Sequence, residues 1–277
     1  MIYVLNDGSG RLCNKLIFAA NILSSCIEKE NKIIYYNYPF SWVQNKENQY
    51  IVPRKKLNKY VNFIIDYFLG KFAKKKIAGY EVIYKQSVFE TNATLSESYK
   101  DVIWYGWPYF DLLNLRKHKL EVQEYFRFPE ETEIAVNNFF KNIFGYDYII
   151  GVHIRRDDYK EWRGGKYYYD NVVYLHYMQE CQRILGKNIV FILFSDESLD
   201  SSAFKEYIIH KAAGTVLEDL CSMSKCDFLI GPPSTFSGWA SFYGDVPRYI
   251  IEEKSEKLDK ENFKVWLTET DEWTVTE

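Results

Sequence analysis

The sequence predicts an α/β protein whose strands lie in parallel, doubly wound sheets. Three observations carry this. The chain opens on an apolar run, residues 1–5, followed by glycines at 8 and 10 and then a helical pattern, the strand, tight loop and helix of a βα unit. Over residues 148–251 short apolar runs alternate with helical periodicities, and strands alternating with helices close into a parallel sheet. The 277 residues are enough for about two domains or one large one, each able to bury a core without disulfide or metal staples.

Taken in order, the first helix runs from Leu12 to about Glu30 and carries Leu16, Ala19, Ala20 and Leu23; a short strand follows at 32–36. Over 57–72 the apolar positions Leu57, Tyr60, Val61, Ile64, Ile65, Phe68, Leu69 and Phe72 recur at helical spacing, with Arg54-Lys55-Lys56 before them and Lys74-Lys75-Lys76 after. This amphipathic helix with basic ends has two readings: peripheral docking on an anionic membrane surface, or packing on its own domain with solvated lysines. A strand is expected at 101–107 and helices at 109–126 and 129–144. The alternating series then starts afresh. It reads strand 148–154, helix 171–185, strand 188–194, helix 199–210, short helix 218–223, strand 228–231, helix 235–243 and strand 248–251. The expected domains are therefore 1–145 and 146–251, with a charged tail, 252–277, packing back through Phe263, Trp266, Leu267 and Trp273.

Thirty-five basic against 38 acidic residues leave a net charge of −3, without the clustered basic excess of a nucleic-acid binder. Five cysteines, an odd number in no metal-binding spacing, are expected to be free thiols. The N-terminus lacks a basic region and a cleavable apolar stretch. The longest uncharged apolar stretch, residues 16–27, falls short of the roughly 20 residues a bilayer span needs. A reduced, cytoplasmic protein is expected, peripheral at the inner membrane face if the basic helix docks. The 24 tyrosines suit carbohydrate contact, and equally reflect AT-rich coding sequence.

The most informative stretch is Gly151-Val152-His153-Ile154-Arg155-Arg156-Asp157-Asp158-Tyr159. An apolar strand running straight into two arginines and two aspartates concentrates charge where an α/β sheet presents its ligand. Adjacent arginines can hold a diphosphate by bidentate hydrogen bonds, or simply form a surface ion-pair network with the aspartates. By strand alternation His153 and Arg155 share one face and Arg156 the other. A second cluster leads from Glu218-Asp219 through the strand at 228–230 to Gly231-Pro232-Pro233-Ser234-Thr235. There hydroxyls and free amides begin a helix, which is an anion site or plain N-capping. Two such sites on one sheet fit a nucleoside diphosphate. The loop Gly8-Ser9-Gly10-Arg11-Leu12-Cys13-Asn14 has Cys13 where a dinucleotide fingerprint has its third glycine, so a nicotinamide cofactor is not expected. No phosphate-binding P-loop, HExxH or GxSxG motif occurs. No two aspartates stand two apart as an Asp-x-Asp metal clamp, and arginines would have to replace the metal.

His153-Ile154-Arg155-Arg156-x-Asp158-Tyr159 resembles the HxRRxDY motif of the alpha-1,2-fucosyltransferases, within the wider GDP-fucose-using superfamily. Gly10-Arg11-Leu12-x-Asn14, Phe194-Ser195-Asp196-Glu197, and Glu218-Asp219-Leu220 through Met223-Ser224-x-Cys226 to Ser234-Thr235-Phe236-Ser237-x-Trp239 are similar to further segments of the same family, in order. The resemblance implies a GT-B architecture, two Rossmann-like domains with parallel sheets facing across a cleft. It also implies inverting transfer of L-fucose from GDP-fucose to a galactose-type hydroxyl of a surface glycan precursor, an oligosaccharide acceptor that could be lipid-linked, with no metal and no cofactor. Carried over, Arg155 would bind the β-phosphate, with Arg156 beside it. His153 and Asp219 would lie near the guanosine, and Ser234 and Thr235 at the diphosphate. Gly10 and Asn14 would close the site from the first domain. The catalytic pair would be Arg155 and Asp158, the latter as base, with Asp157, Glu161 and Asp7 as further candidates for base or acceptor contact. Asp157 stands where the family has glycine, Lys15 where it has glutamine, Gly238 for a tryptophan and Pro232-Pro233 for Ala-Asn. A transferase for another GDP-deoxysugar, or a non-catalytic sugar-nucleotide or glycan-binding module, are the alternatives.

Overall fold

A computed structural model describes residues 2–6, 10–36, 38–43, 50–54, 60, 63–64, 67–68, 76–77, 80–84, 102–105, 111–212 and 214–268. The chain forms two compact units, Met1–Arg127 and Phe128–Glu277. The division falls before the expected 145/146 boundary. Helix α4 (Glu130–Phe140) belongs with the second unit because it packs on α6 (Val216–Met223) of that unit.

The first unit is a six-stranded sheet in the order β3-β2-β1-β6-β5-β4. Its strands are β1 (Ile2–Asn6), β2 (Ile33–Tyr35), β3 (Ile51–Pro53), β4 (Lys76–Ile77), β5 (Tyr80–Tyr84) and β6 (Val102–Tyr105). All pairs are parallel except β4 on β5. Three of these strands, β3, β4 and β5, fall where no strand is expected from the sequence. They are short, and Pro53 is tolerated because β3 is an edge strand. Helix α1 (Leu12–Glu28) has every residue from 16 to 26 buried, so it is an interior helix and not a surface amphipathic one. The helix expected at 109–126 is two, α2 (Leu112–Lys117) and α3 (Lys119–Tyr125), meeting at His118. A buried polar network seats them. Asp111 caps α2 and takes a 2.5 Å hydrogen bond from the Ser25 hydroxyl, while its own N–H donates to Asn21 Oδ1 at 2.8 Å.

The second unit holds a five-stranded, wholly parallel sheet in the order β11-β10-β7-β8-β9. The strands are β7 (Tyr148–Ile154), β8 (Ile189–Ser195), β9 (Ile209–Lys211), β10 (Phe228–Gly231) and β11 (Arg248–Ile250); helices α5 (Asn171–Leu185) and α7 (Thr235–Gly244) complete it. Where a helix is expected over 199–210, Asp200 caps a short 3₁₀ turn, Ser201–Phe204, and the β-branched pair Ile208-Ile209 leads into β9. From β7 the chain winds outward through β8 to β9, then returns to add β10 and β11 on the other side. The order therefore reverses between β7 and β10, and ligands of open α/β sheets bind at such a switch point, outside the carboxyl ends of the strands. Strands approach closely there: a methyl on Gly231 would sit 2.7 Å from the His153 carbonyl oxygen.

Residues 252–268 pack onto this unit, burying Leu258, Phe263, Trp266 and Leu267; Trp273 lies outside the described residues. Tyr177 donates its hydroxyl to the Glu253 carbonyl at 2.6 Å and Tyr169 to that of Ile251 at 3.0 Å. These tyrosines are structural, with their hydroxyls spent on the tail backbone.

Candidate active site

The β7 strand delivers His153, Arg155 and Arg156 to the switch point. The parallel register pairs Ile154 with Ser195, so the residues that follow, Arg155 and Asp196, leave the sheet side by side. Arg155 Nη1 bonds Asp196 Oδ2 at 2.8 Å, and Nη2 bonds Asp158 Oδ1 at 2.5 Å. The guanidinium is 13% exposed and Asp196 15%, whereas Asp158 is 46% exposed. The inner ion pair is thus fixed and the outer one open to exchange.

Arg156 is built differently. Its Nε donates to the Tyr169 carbonyl at 3.0 Å, Nη1 to Glu197 at 3.0 Å and Nη2 to Asn171 Oδ1 at 2.5 Å, with its backbone N–H on Asp196 Oδ1 at 3.0 Å. These four bonds tie the loop after β7 to the loops after β8 and before α5, so Arg156 acts as an anchor of the site in this state.

His153 is buried, its ring 5.8 Å from that of Phe236, and its Nδ1 has no hydrogen-bond partner among the described residues. Burial pushes the imidazole down to about 4; Asp196 pulls it up and Arg248 pushes it further down. It is neutral at physiological pH, and Nδ1 can accept or donate a bond to a ligand.

The loop after β10 is held from two sides. Tyr159, from the 3₁₀ turn Asp158–Lys160, donates its hydroxyl to the Pro233 carbonyl. Buried Arg248, at the start of β11, donates Nη1 to the Ser234 carbonyl at 3.0 Å and to the Ser237 hydroxyl at 3.2 Å, and lies 4.9 Å from the Trp266 ring. Ser234 caps α7 by accepting the Phe236 N–H at 3.2 Å, and Thr235 opens the helix. The free amides and positive end of α7 face the strand ends, a ready anion site. Asp219 lies on α6, whose Thr215 and Glu218 form a capping box. Burial raises the Asp219 carboxyl to about 6, against the Gly214 N–H bond that lowers it, with Glu218 adding to the rise.

Of the remaining candidates, Asp157 and Glu161 are exposed in the loop after β7. Gly10 is exposed and Asn14 half-buried at the start of α1 in the first unit, and Asp7 lies outside the described residues. Carboxylate oxygens of Asp157, Asp158 and Asp196 come within 4.8 Å of one another, a donor set with the chemistry to hold a divalent cation. Arg155 already serves two of the three as counter-ion. The sequence reading gives no role to Asp196 or Arg248. The signal for Arg248 is a charged residue placed inside the apolar run 246–251.

The sequence profile of glycosyl transferase family 11 matches residues 44–267. The chain belongs to that family. This glycosyltransferase matches no curated protein by sequence. By structure it is similar to FUT1 of Arabidopsis thaliana in complex with GDP, with a TM-score of 0.55 and 13% identity over 95% of this chain and 73% of that one. It is also similar to NodZ alpha-1,6-fucosyltransferase soaked with GDP-fucose, with a TM-score of 0.55 and 14% identity over 95% and 96%. Fucosyltransferase NodZ from Bradyrhizobium gives 0.54 and 12% identity over 91% and 96%. At these identities the likeness gives the fold, the GT-B type with two Rossmann-like α/β units.

Proposed function

We propose that this glycosyltransferase moves L-fucose from GDP-fucose to a hydroxyl, the galactose O2, of a surface glycan precursor, with inversion at the anomeric carbon and without a metal. The observation that carries the reading is Arg155, held at the switch point by Asp196 and bonded outward to the exposed Asp158. As the C1–O bond breaks, negative charge grows on the β-phosphate and the anomeric carbon becomes cationic. Arg155 and the N-terminus of α7 neutralise the leaving diphosphate. His153 and Asp219 bind the guanosine. Arg156 supports Arg155 through their shared carboxylate, Asp196.

The same pairing couples donor binding to the base. A phosphate oxygen taking Nη2 of Arg155 releases Asp158, whose carboxylate then accepts the proton of the attacking hydroxyl. The acceptor oxygen bonds C1, the C1–O bond to GDP breaks, and the proton resides on Asp158. Asp157 and Glu161, exposed in the loop after β7, are the further candidates for the acceptor side.

A thermal-shift panel of GDP-, UDP-, CMP- and ADP-sugars tests the donor. A ligand at a hundred times its Kd stabilises by about 2.7 kcal/mol, and only the guanine series is expected to do so. Stabilisation by UDP-sugars alone overturns the reading. Turnover is expected to survive a chelator; loss of activity restored by a divalent cation would assign the three-aspartate cluster to a metal instead.

A further inference from the structure

We propose that Tyr159 and Arg248 are positioning residues that aim the Ser234 and Thr235 N–H groups at the diphosphate of the donor, an inference that rests on the GDP-sugar reading of the site. The turn after β10 runs Gly231-Pro232-Pro233-Ser234-Thr235. A proline has no N–H, so after Gly231 the first amides this turn can offer an anion are those of Ser234 and Thr235. Neither amide donates a hydrogen bond to a described residue, as is usual at the start of a helix. The carbonyls of the same two peptide units are both engaged. Tyr159 donates its hydroxyl to the Pro233 carbonyl, and Arg248 donates Nη1 to the Ser234 carbonyl at 3.0 Å. A trans peptide points its C=O and its N–H in opposite directions. Holding the Pro233 carbonyl therefore turns the Ser234 N–H away from Tyr159, and holding the Ser234 carbonyl turns the Thr235 N–H away from Arg248.

Both holding groups are buried and fixed in their turn. The Tyr159 ring lies 4.7 Å from that of Trp162, which lies 5.4 Å from Tyr167. Arg248 Nη1 also reaches the Ser237 hydroxyl at 3.2 Å, and its guanidinium lies 4.9 Å from the Trp266 ring. Donors set in place before the anion arrives need no reorganisation when charge develops on it. His153 brings a further polar group to the same turn. It is 5% exposed, its Nδ1 has no hydrogen-bond partner among the described residues, and its ring lies 5.8 Å from Phe236, the residue after Thr235. Tyr159 also joins the two halves of the anion site, because its ring lies 5.4 Å from the Arg155 guanidinium while its hydroxyl holds the turn before α7.

Calorimetric titration of the full chain with GDP and with guanosine tests this, since guanosine has no phosphate for the aimed amides to meet. Tyr159→Phe removes one hydroxyl and keeps the ring. It is expected to weaken GDP about tenfold, the order of one hydrogen bond to a charged group, and to leave guanosine at the wild-type affinity. Arg248→Met is expected to act in the same direction, with Arg248→Lys, which keeps a donor, falling between it and wild type. The Tyr159→Phe result decides even where Arg248→Met does not fold. Equal proportional losses for GDP and guanosine in Tyr159→Phe overturn the proposal, as does unchanged GDP affinity, and both outcomes leave the donor reading standing. A wild-type chain that binds GDP no more tightly than guanosine overturns the donor reading and this proposal with it.

Discussion

Two arginine–carboxylate clusters lie in the second unit, and their outer ends differ. At the tail, Arg183 Nη2 bonds Glu180 at 2.7 Å; Glu180 also accepts the Leu258 N–H at 2.9 Å, and Arg183 donates to the Leu258 carbonyl. Both partners of that cluster also bond the Leu258 backbone, so exchanging one would orphan a polar main-chain group. At the switch point Arg155 ends on two carboxylates, and the outer one is half exposed. In the proposed function an incoming phosphate takes the place of the Asp158 carboxylate at Nη2. Under the proposed function, identical side-chain chemistry makes a staple in one place and an exchangeable anion site in the other, and what differs is the partner at the far end.

The largest test of that contrast sets Arg155→Ala against Arg183→Ala, with kcat and Tm measured on both. Removing a preorganised donor from a developing charge costs about 2.7–4 kcal/mol of barrier, so Arg155→Ala is expected to lower kcat at least about a hundredfold with Tm kept within a few degrees. Arg183→Ala is expected to do the reverse, lowering Tm while kcat stays at the wild-type level. Wild-type turnover by the Arg155 variant would remove the catalytic assignment and leave two staples.

The contrast also marks how far the residues alone could be read. An apolar strand ending in charges announces the β7 loop, because strand period and charge are local properties, and the main strands of the second sheet follow from the same periodicity. Which of two adjacent arginines meets exchangeable carboxylates is not local. It depends on β8 lying beside β7 in the register that brings Asp196 to Arg155, and on Tyr169 and Asn171 reaching Arg156. Strands of two to five residues such as β3, β4 and β5 carry too little period to be recognised, and their partners are supplied by the finished sheet. Gly238, which departs from the family tryptophan, also becomes legible only in three dimensions: the indole of Trp266, from the tail, fills the space above it, 2.5 Å from where a Cβ would stand.

The tail also reaches the site at Trp266, whose ring lies against Arg248, which holds the Ser234 carbonyl. Gly238→Ala is therefore the sharpest probe of whether staple and site are separable. Overpacking of this kind typically costs about 1–3 kcal/mol, read as a lower denaturation midpoint, and Trp266→Leu in the same chain is expected to restore part of it. If the regions are independent, GDP affinity of the folded variant is unchanged. A drop in affinity that Trp266→Leu reverses would break the comparison and make the tail a support of the α7 N-terminus.

The smallest expected effect lies in pH. Burial holds the Asp219 carboxyl up at about 6 against an ordinary 3.8, so the protonated form is favoured in the folded chain. Its contribution to stability is full below pH 3.8 and is lost as pH rises through about 6. Guanine presents N–H donors, which need the ionised carboxylate, so binding runs in the opposite direction. GDP-fucose, whose diphosphate does not titrate in this range, is expected to bind about tenfold more weakly one unit below the Asp219 midpoint than well above it. Asp219→Asn is expected to abolish that dependence, weaken binding at neutral pH and slightly raise the Tm there. Calorimetric titration of GDP-fucose between pH 5 and 8, next to a Tm series over the same range, reads both signs at once. Unchanged affinity across the range in wild type would detach Asp219 from the guanosine and leave it, like Glu180, a purely structural carboxylate.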